Sequence, residues 1–267
     1  MTEAATGHGH TPGTPCWASL MVRDLARTRD FYHALFGWEF RTGPQPLGPY
    51  VRAVLGGREV AGLGEMARGR DFRSAWIPYL AGDDADGTAA LIRDCGGTVA
   101  VGPLDADSAG RMAVAADPSC ATFGVWQAGT HPGMGAGEAG APGTPVWFEL
   151  TTREAAPAAK FYSAVFGFDT AETGREDPEE GDLLVLRLRS RPVASVRGVG
   201  SALPRGQMPQ WETCFAVTDP DAAAHRAAEL GGRVVREPRD LPYGRRATVV
   251  DPEGARFSVI RRVGGAR

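Results

Sequence analysis

One stretch of this chain occurs twice. Residues 15–37 correspond to residues 145–167 without a gap, and the shared positions include a Pro, a Trp, a Leu, a Phe-Tyr pair and a final Phe-Gly. Two further pairs of segments match in the same order: residues 95–99 with 230–234, and residues 117–123 with 251–257. A repeat of this length predicts two tandem copies of one domain rather than a solenoid of short units.

Length and charge narrow the class of protein. The 267 residues are enough for two domains, each with its own hydrophobic core. The net charge of −3 gives no electrostatic footprint for nucleic acid or an anionic membrane. The four cysteines have no CxxC spacing and there is no long apolar run, so we expect a cytoplasmic protein with reduced thiols.

Local patterns give the same order of elements four times. Residues 15–22 alternate like a strand, Asp24 can cap a following helix, and Gly37 can end it. Three short strands follow, and the β-α-β-β-β pattern then repeats through the chain. The segment 236–240, with its Pro and mixed charges, is predicted to be a surface loop.

Composition then sets the domain boundaries. Residues 1–14 are polar and rich in Gly, Pro and His, which predicts a disordered tail. Residues 128–144 are Gly- and Pro-rich and predict a flexible linker. The chain is therefore predicted to be an α+β protein with domains at 15–127 and 145–263, each with its own core.

Three of these motifs resemble the vicinal oxygen chelate superfamily. They are the Phe-Tyr-x3-Phe-Gly helix end, the Gly-Gly after the second helix, and the Asp-Pro-x-Gly-Ala-x-Phe segment at residues 251–257. The superfamily includes glyoxalase I, extradiol dioxygenases, bleomycin resistance proteins and tandem glyoxalase-like proteins of actinomycetes. The resemblance implies two tandem domains, each with two β-α-β-β-β modules in a curved, mixed eight-stranded sheet. It does not select a reaction, because the fold hosts many.

The resemblance also implies where a metal would bind. Metal-dependent members hold a divalent ion with His, Gln or Glu at positions that correspond here to Trp17, Ile77 and Gly124, and to Trp147, Glu212 and Ser258. Only Glu212 is a suitable ligand among these residues. We therefore expect no metal cofactor. The alternative is a divalent ion at Glu149, Glu212 and a displaced His.

In the first copy, strand alternation predicts an aromatic pocket. If each domain forms a cup, one strand face points into it. The residues on that face are Trp17, Ser19, Met21, Ile77, Tyr79, Thr122, Gly124 and Trp126. Gly124 and Ser19 would leave space beside the Trp rings for a flat ligand, although the Trp rings could instead fill a closed core. Trp76 and Trp211 should point towards the helices.

The second copy offers acidic residues on the corresponding face. Trp147 and Glu149 share one face of their strand, as do Glu212 and Cys214 on another, and Ser258 lies nearby. The carboxylates could be polar lining, or a catalytic acid–base pair in which repulsion raises one pKa. Cys214 is a possible nucleophile, although a buried cysteine is usually inert.

Together these patterns predict a protein that binds a small organic molecule, aromatic or polyketide-like, in secondary metabolism. It would sequester the compound, as the bleomycin and antibiotic resistance members do, or act on it without metal. The main alternative is a metal-dependent lyase, isomerase or dioxygenase of the same fold. A third possibility is a scaffold whose pockets have closed. A monomer with pseudo-dimeric domains and a homodimer both remain open.

Overall fold

The four predicted modules are present in the computed structural model, which describes residues 10–66, 73–134, 140–172, 181–203 and 206–262. The helices are α1 (Leu25–Phe36), α2 (Ala85–Asp94), α3 (Ala155–Phe166) and α4 (Pro220–Glu229). The strands of the first half are β1 (Pro15–Val22), β2 (Glu39–Thr42), β3 (Tyr50–Leu55), β4 (Arg58–Glu65), β5 (Trp76–Ala81), β6 (Thr98–Ala106), β7 (Gly110–Ala116) and β8 (Thr122–Ala128). Those of the second half are β9 (Pro145–Thr152), β10 (Asp169–Glu172), β11 (Asp182–Leu188), β12 (Arg191–Gly198), β13 (Gln210–Ala216), β14 (Arg233–Leu241), β15 (Gly244–Val250) and β16 (Arg256–Arg262).

The ends of α1 follow the predicted capping. The side chain of Asp24 accepts a hydrogen bond from the backbone N–H of Arg27, which satisfies one of the free donors at the helix start. Gly37 adopts a left-handed conformation with φ of 74°, and its N–H bonds to the carbonyl of His33. Local sequence therefore determines where this helix begins and ends.

Each half of the chain forms one mixed, eight-stranded sheet. The strand orders are β2-β3-β4-β1-β5-β8-β7-β6 and β10-β11-β12-β9-β13-β16-β15-β14. Pairs β1–β4, β5–β8 and β13–β16 are parallel, and hairpin neighbours such as β15–β16 are antiparallel. The predicted α+β class with two tandem sheets is confirmed.

The strands at one edge of each sheet are longer than the sequence suggested. The segment 236–240 belongs to β14, so the prediction of a surface loop was wrong. Pro238 lies between Arg236 and Arg239, where the register with β15 shifts, and Pro103 lies at a similar shift in β6. Because β6 and β14 are edge strands, a residue without an N–H can be accommodated at a bulge there.

The compact units of the molecule differ from its sequence halves. The first unit consists of Met1–Cys16, Pro78–Gly133 and Leu150–Gln210, and the second of Trp17–Ile77, Met134–Glu149 and Trp211–Arg267. Each unit therefore joins one module from each half. The predicted boundaries at 15–127 and 145–263 describe the sheets, not the compact units.

An aromatic cluster forms the core of the second unit. The ring of Tyr32 on α1 lies 5.2 Å from that of Trp38 and 5.4 Å from that of Trp76. The Nε1–H of Trp76 donates to the hydroxyl of Tyr32 at 2.8 Å, and this hydroxyl donates to Asp251 at 3.0 Å. Trp76 thus points towards a helix, as alternation predicted.

The first unit repeats this arrangement with different residues. The hydroxyl of Tyr162 on α3 donates to Asp117 at 3.1 Å, and the ring of Tyr162 packs 5.3 Å from that of Phe123. Asp117 and Asp251 occupy the same place in the two Asp-Pro turns. In each unit, a carboxylate from one half of the chain therefore fixes a helix from the other half.

Parts of the predicted tail and linker are hydrogen-bonded to the sheets. In the first unit, the N–H of Gly13 donates to the carbonyl of Ala81 at 2.7 Å. In the second, the N–H of Gly143 donates to Ala216, and its carbonyl accepts from Nε1 of Trp38 at 2.8 Å. Residues 1–9 and 135–139 lie outside the described residues. Among the described helices, none is long and apolar enough to cross a membrane.

Candidate functional site

Two of the predicted acids lie in one charged cluster within the second unit. Glu149 comes from β9, Glu212 from β13, Arg246 from β15, and Arg256 and Ser258 from β16. We call these five residues the arginine–glutamate cluster. Alternation along the strands brings them to one face, which is why residues far apart in the chain meet there.

Arg246 lies at the centre of the arginine–glutamate cluster. Its Nη1 donates to Glu149 Oε1 at 3.3 Å and its Nη2 donates to Glu212 Oε1 at 2.5 Å. Its Nε donates to the hydroxyl oxygen of Ser258 at 2.9 Å. One guanidinium group thus uses three of its nitrogens to hold three side chains, a geometry that the rigid planar fork of arginine suits.

A second arginine completes the charge balance. Nε of Arg256 donates to Glu212 Oε2 at 2.7 Å, so Glu212 accepts from a different arginine at each oxygen. The hydroxyl of Ser258 donates to Glu212 Oε1, and that hydroxyl lies 3.0 Å from Oγ1 of Thr248. Two guanidinium groups therefore balance two carboxylates, as buried charges require.

The cluster keeps Glu212 ionised. Burial would raise the pKa of Glu212, but the charges of Arg246 and Arg256 and the hydrogen bond from Ser258 lower it to about 2. For Arg246, burial acts to lower the pKa, and the surrounding acids raise it well above its ordinary value. The expected repulsion between carboxylates does not raise the pKa of Glu212. Its lowered pKa makes this residue a poor proton acceptor at neutral pH.

Cys214 lies beside this cluster as a buried thiol. Its residue is 1% exposed, and burial raises its pKa to about 12. The thiolate is the nucleophilic form of cysteine, so this environment does not activate Cys214. The burial of Cys214 therefore supports the interpretation that its thiol is unreactive.

The two tryptophans at equivalent positions of the repeat differ in their surroundings. Trp147 is half-buried, and the guanidinium carbon of Arg262 lies 6.0 Å from its ring centroid. Trp17 is buried, and its Nε1 donates to the hydroxyl of Tyr50 at 2.9 Å. That hydroxyl also lies 3.2 Å from Oγ of Ser19, so Tyr50 satisfies both polar groups.

The remaining residues of the predicted aromatic pocket are distributed over both units. Ile77, in the second unit, is buried. In the first unit, the ring of Tyr79 packs so closely on Gly124 that a side chain there would collide with it. The space expected beside Gly124 is thus filled by Tyr79. Trp126 donates from Nε1 to the carbonyl of His131 at 2.9 Å, whereas Thr122 is exposed.

The first unit also contains a cavity that the sequence did not indicate. It has a volume of about 750 Å³ and lies at the start of α3. Pro118, Pro157, Phe161 and Met208 contribute to its mostly apolar lining. None of the predicted site residues lines it, because its walls come mainly from turns, loops and a helix rather than from alternating strand positions.

Sequence reasoning found the acids but missed their partners. Arg246, Arg256 and Tyr50 were not among the predicted site residues, although the same alternation that selected Ser258 also places Arg256 on its face. Arg246 and Tyr50 lie on β15 and β3, two strands from which the sequence predicted no site residue. A signal was available for Arg246, since an isolated buried carboxylate demands a cation nearby.

The side chains present do not fit the divalent ion that the superfamily resemblance implies. Trp17, Ile77 and Gly124 have no suitable side-chain donor, and in the second copy the carboxylates are engaged by guanidinium groups. Within the described ranges, no group of three or more His, Cys, Asp or Glu residues could hold a metal ion. Glu149 and Glu212, without a displaced His, do not make such a group.

Comparison with known proteins identifies relatives over most of the chain. Residues 147–260 match a family model described as a glyoxalase-like domain. The chain is 38% identical over 263 residues to the anthracycline biosynthesis protein DauV of Streptomyces sp. strain C5, and the match covers 93% of each protein.

Solved structures share the architecture at much lower identity. The 2,3-dioxygenase LapB of Pseudomonas sp. KL28 has a TM-score of 0.64 and 16% identity, with 94% of this chain and 93% of that chain covered. An Mn(II)-bound glyoxalase from Novosphingobium aromaticivorans has a TM-score of 0.62 and 17% identity, with 95% and 84% covered. At this identity the similarity demonstrates the fold alone.

Proposed function

The chain belongs to the glyoxalase-like family of vicinal oxygen chelate proteins, and from that premise we propose that it binds a planar aromatic or polyketide-like metabolite without a metal ion. The compound would lie against Trp147 and the arginine–glutamate cluster. The observation that carries this proposal is the half-buried indole ring of Trp147, which stands on the same strand face as a charge-balanced polar cluster. A ring of this kind offers stacking area, and the cluster offers hydrogen-bond donors and acceptors.

The relative from Streptomyces supports the class of compound. Its name assigns it to anthracycline biosynthesis, and it shares 38% identity with this chain over nearly the whole length of both. Anthracyclines are planar aromatic compounds with polar substituents, which is the chemistry that Trp147 and the cluster would recognise. We therefore take an anthracycline as the first probe.

The cluster supports binding more strongly than acid–base catalysis. Glu212 has a pKa of about 2, and Cys214 has a pKa of about 12, so neither is poised to exchange a proton or attack a substrate near pH 7. Sequestration of the compound fits these properties. Any turnover would then depend on how the protein positions the compound rather than on a strong base.

A fluorescence titration with an anthracycline tests the proposal. Trp147→Ala should weaken binding by about 1–3 kcal/mol, the scale of a buried aromatic contact, whereas Trp147→Phe should retain most of the affinity. Equal affinity in both variants and wild type would reject the site at Trp147. In that case, the cavity beside α3 in the first unit would be the next candidate binding site to test by substitution.

The same titration separates metal-free binding from the metal-dependent alternative. We expect EDTA to leave the affinity unchanged, because the proposed contacts come from protein side chains alone. Loss of binding with EDTA, followed by recovery with Mn²⁺ or Fe²⁺, would establish the metal-dependent enzyme instead. Metal analysis of protein purified without chelator provides the independent measurement.

A further inference from the structure

We propose that the guanidinium group of Arg246 is a built-in cation, which occupies the place between Glu149, Glu212 and Ser258 that a divalent ion would otherwise take. On this proposal the native site excludes divalent ions, and removal of the Arg246 side chain converts it into a site that binds them. The proposal does not depend on the compound that the protein binds.

Three oxygen atoms converge on the guanidinium group of Arg246. Oε1 of Glu149, Oε1 of Glu212 and Oγ of Ser258 come from three different strands, and all three contact nitrogens of one guanidinium group. Carboxylate oxygens are donors that hard divalent ions such as Mn²⁺ favour, and the hydroxyl of Ser258 adds a weaker oxygen donor. The site therefore has an oxygen donor set with an organic cation at its centre.

Burial makes a cation necessary at this position. The side chains of Glu149 and Glu212 are 8% and 5% exposed, so water cannot stabilise their charges effectively. Arg256 balances only one carboxylate, and it does so at the second oxygen of Glu212. Without Arg246, Glu149 and Glu212 would each lose a guanidinium contact, and Oε1 of Glu212 would keep the hydrogen bond from Ser258.

The adjacent residue supplies a matched control. Arg245 also pairs with two acids, Asp221 at 2.6 Å and Asp240 at 3.2 Å. Their side chains are 52% and 82% exposed, so water can solvate them when the arginine is removed. Alternation along β15 places Arg245 on the opposite face from Arg246. Removal of Arg245 should therefore create no cation site.

Mn²⁺ is the probe, measured by electron paramagnetic resonance and by titration calorimetry. Arg246→Ala should bind one Mn²⁺ per chain at least about tenfold more tightly than wild type, whereas Arg245→Ala should match wild type. Addition of Glu212→Gln to Arg246→Ala should abolish the gain, because it removes a charged ligand. Failure of Arg246→Ala to gain affinity, or an equal gain in Arg245→Ala, overturns the proposal.

Thermal unfolding keeps the test decisive if Arg246→Ala is unstable. An ion that binds only the folded state raises the melting temperature by mass action. Mn²⁺ should therefore raise the melting temperature of Arg246→Ala, or restore its folding, but should not affect Arg246→Lys, which retains a positive charge. A variant that Mn²⁺ neither binds nor stabilises contradicts the proposal. Because no organic ligand enters these measurements, their failure would leave the proposed metabolite binding separately testable.

Discussion

The strands that carry Trp17 and Trp147 are copies of one another, yet their polar residues have different partners. Two residues after Trp17, Ser19 meets the neutral hydroxyl of Tyr50. Two residues after Trp147, Glu149 meets the guanidinium of Arg246. Each partner contacts the polar side chain of its strand. The site in the first copy is neutral and lies beside the buried ring of Trp17, whereas the site in the second copy is charged and lies on the strand of the half-buried Trp147.

The two copies therefore differ in the residue that contacts the strand, Tyr50 or Arg246, as much as in the strand itself. A carboxylate in place of a serine would be costly in a buried site unless a cation came with it. Glu149 and Arg246 must therefore be considered together.

The largest effect is expected at Arg246. Arg246→Ala leaves Glu149 and Glu212 buried without their shared cation, and should lower the free energy of unfolding by about 3–5 kcal/mol. Arg245→Ala removes exposed ion pairs and should cost much less stability. Urea denaturation of both variants measures the difference. Equal losses would mean that burial does not distinguish these two arginines.

The two tryptophans should differ in what they stabilise. Trp17→Ala removes a buried ring and its hydrogen bond to Tyr50, and should lower the free energy of unfolding by about 3–5 kcal/mol. Trp147→Ala should cost less stability, because part of this ring is already exposed. Chemical denaturation checks both values, and a larger loss for Trp147 would reverse the comparison.

The contribution of Asp251 to the free energy of unfolding should change with pH by about 3 kcal/mol or less. Burial raises the pKa of this carboxyl from 3.8 to about 6, and a backbone hydrogen bond from Ala255 partly opposes the rise. Because the folded-state pKa is the higher one, this stabilisation is present below about pH 4 and is lost as the pH rises through about 6.

The variant Asp251→Asn isolates this contribution. Between pH 4 and 7, the stability of wild type relative to the variant should fall as the pH rises, in denaturation curves measured at each pH. Glu212 should act in the opposite direction at lower pH. Its lowered pKa stabilises the fold above about pH 4.5, and this contribution is lost as the pH falls through about 2. A stability difference from Asp251→Asn that rises with pH would contradict the assignment.

The smallest effect is expected for Glu149→Gln. Its contact with Arg246 is longer than that of Glu212, and glutamine retains an oxygen acceptor at the same place. Arg246 also keeps its bond to Glu212, so the change in unfolding free energy should be well below that of Arg246→Ala, while the preference among neutral and cationic aromatic probes should shift towards the neutral ones. Unchanged preference would indicate that Glu149 serves Arg246 alone.

Much of the local structure follows from the sequence. Asp24 and Gly37 mark the ends of α1 because a capping carboxylate and a left-handed glycine act on the backbone within a few residues. The repeat gave four modules of one kind, and strand alternation correctly grouped Glu149, Glu212 and Ser258 on one face.

The tertiary structure alone decided which side chains meet. Arg246 contacts a carboxylate 97 positions earlier in the chain, and Tyr50 contacts an indole 33 positions earlier. Such contacts depend on strand order and cross-strand register, which local spacing does not encode. The same reason explains why the compact units join modules from different halves: each helix buries its apolar face against whatever surface the folded sheets provide, and sequence repetition does not specify that surface.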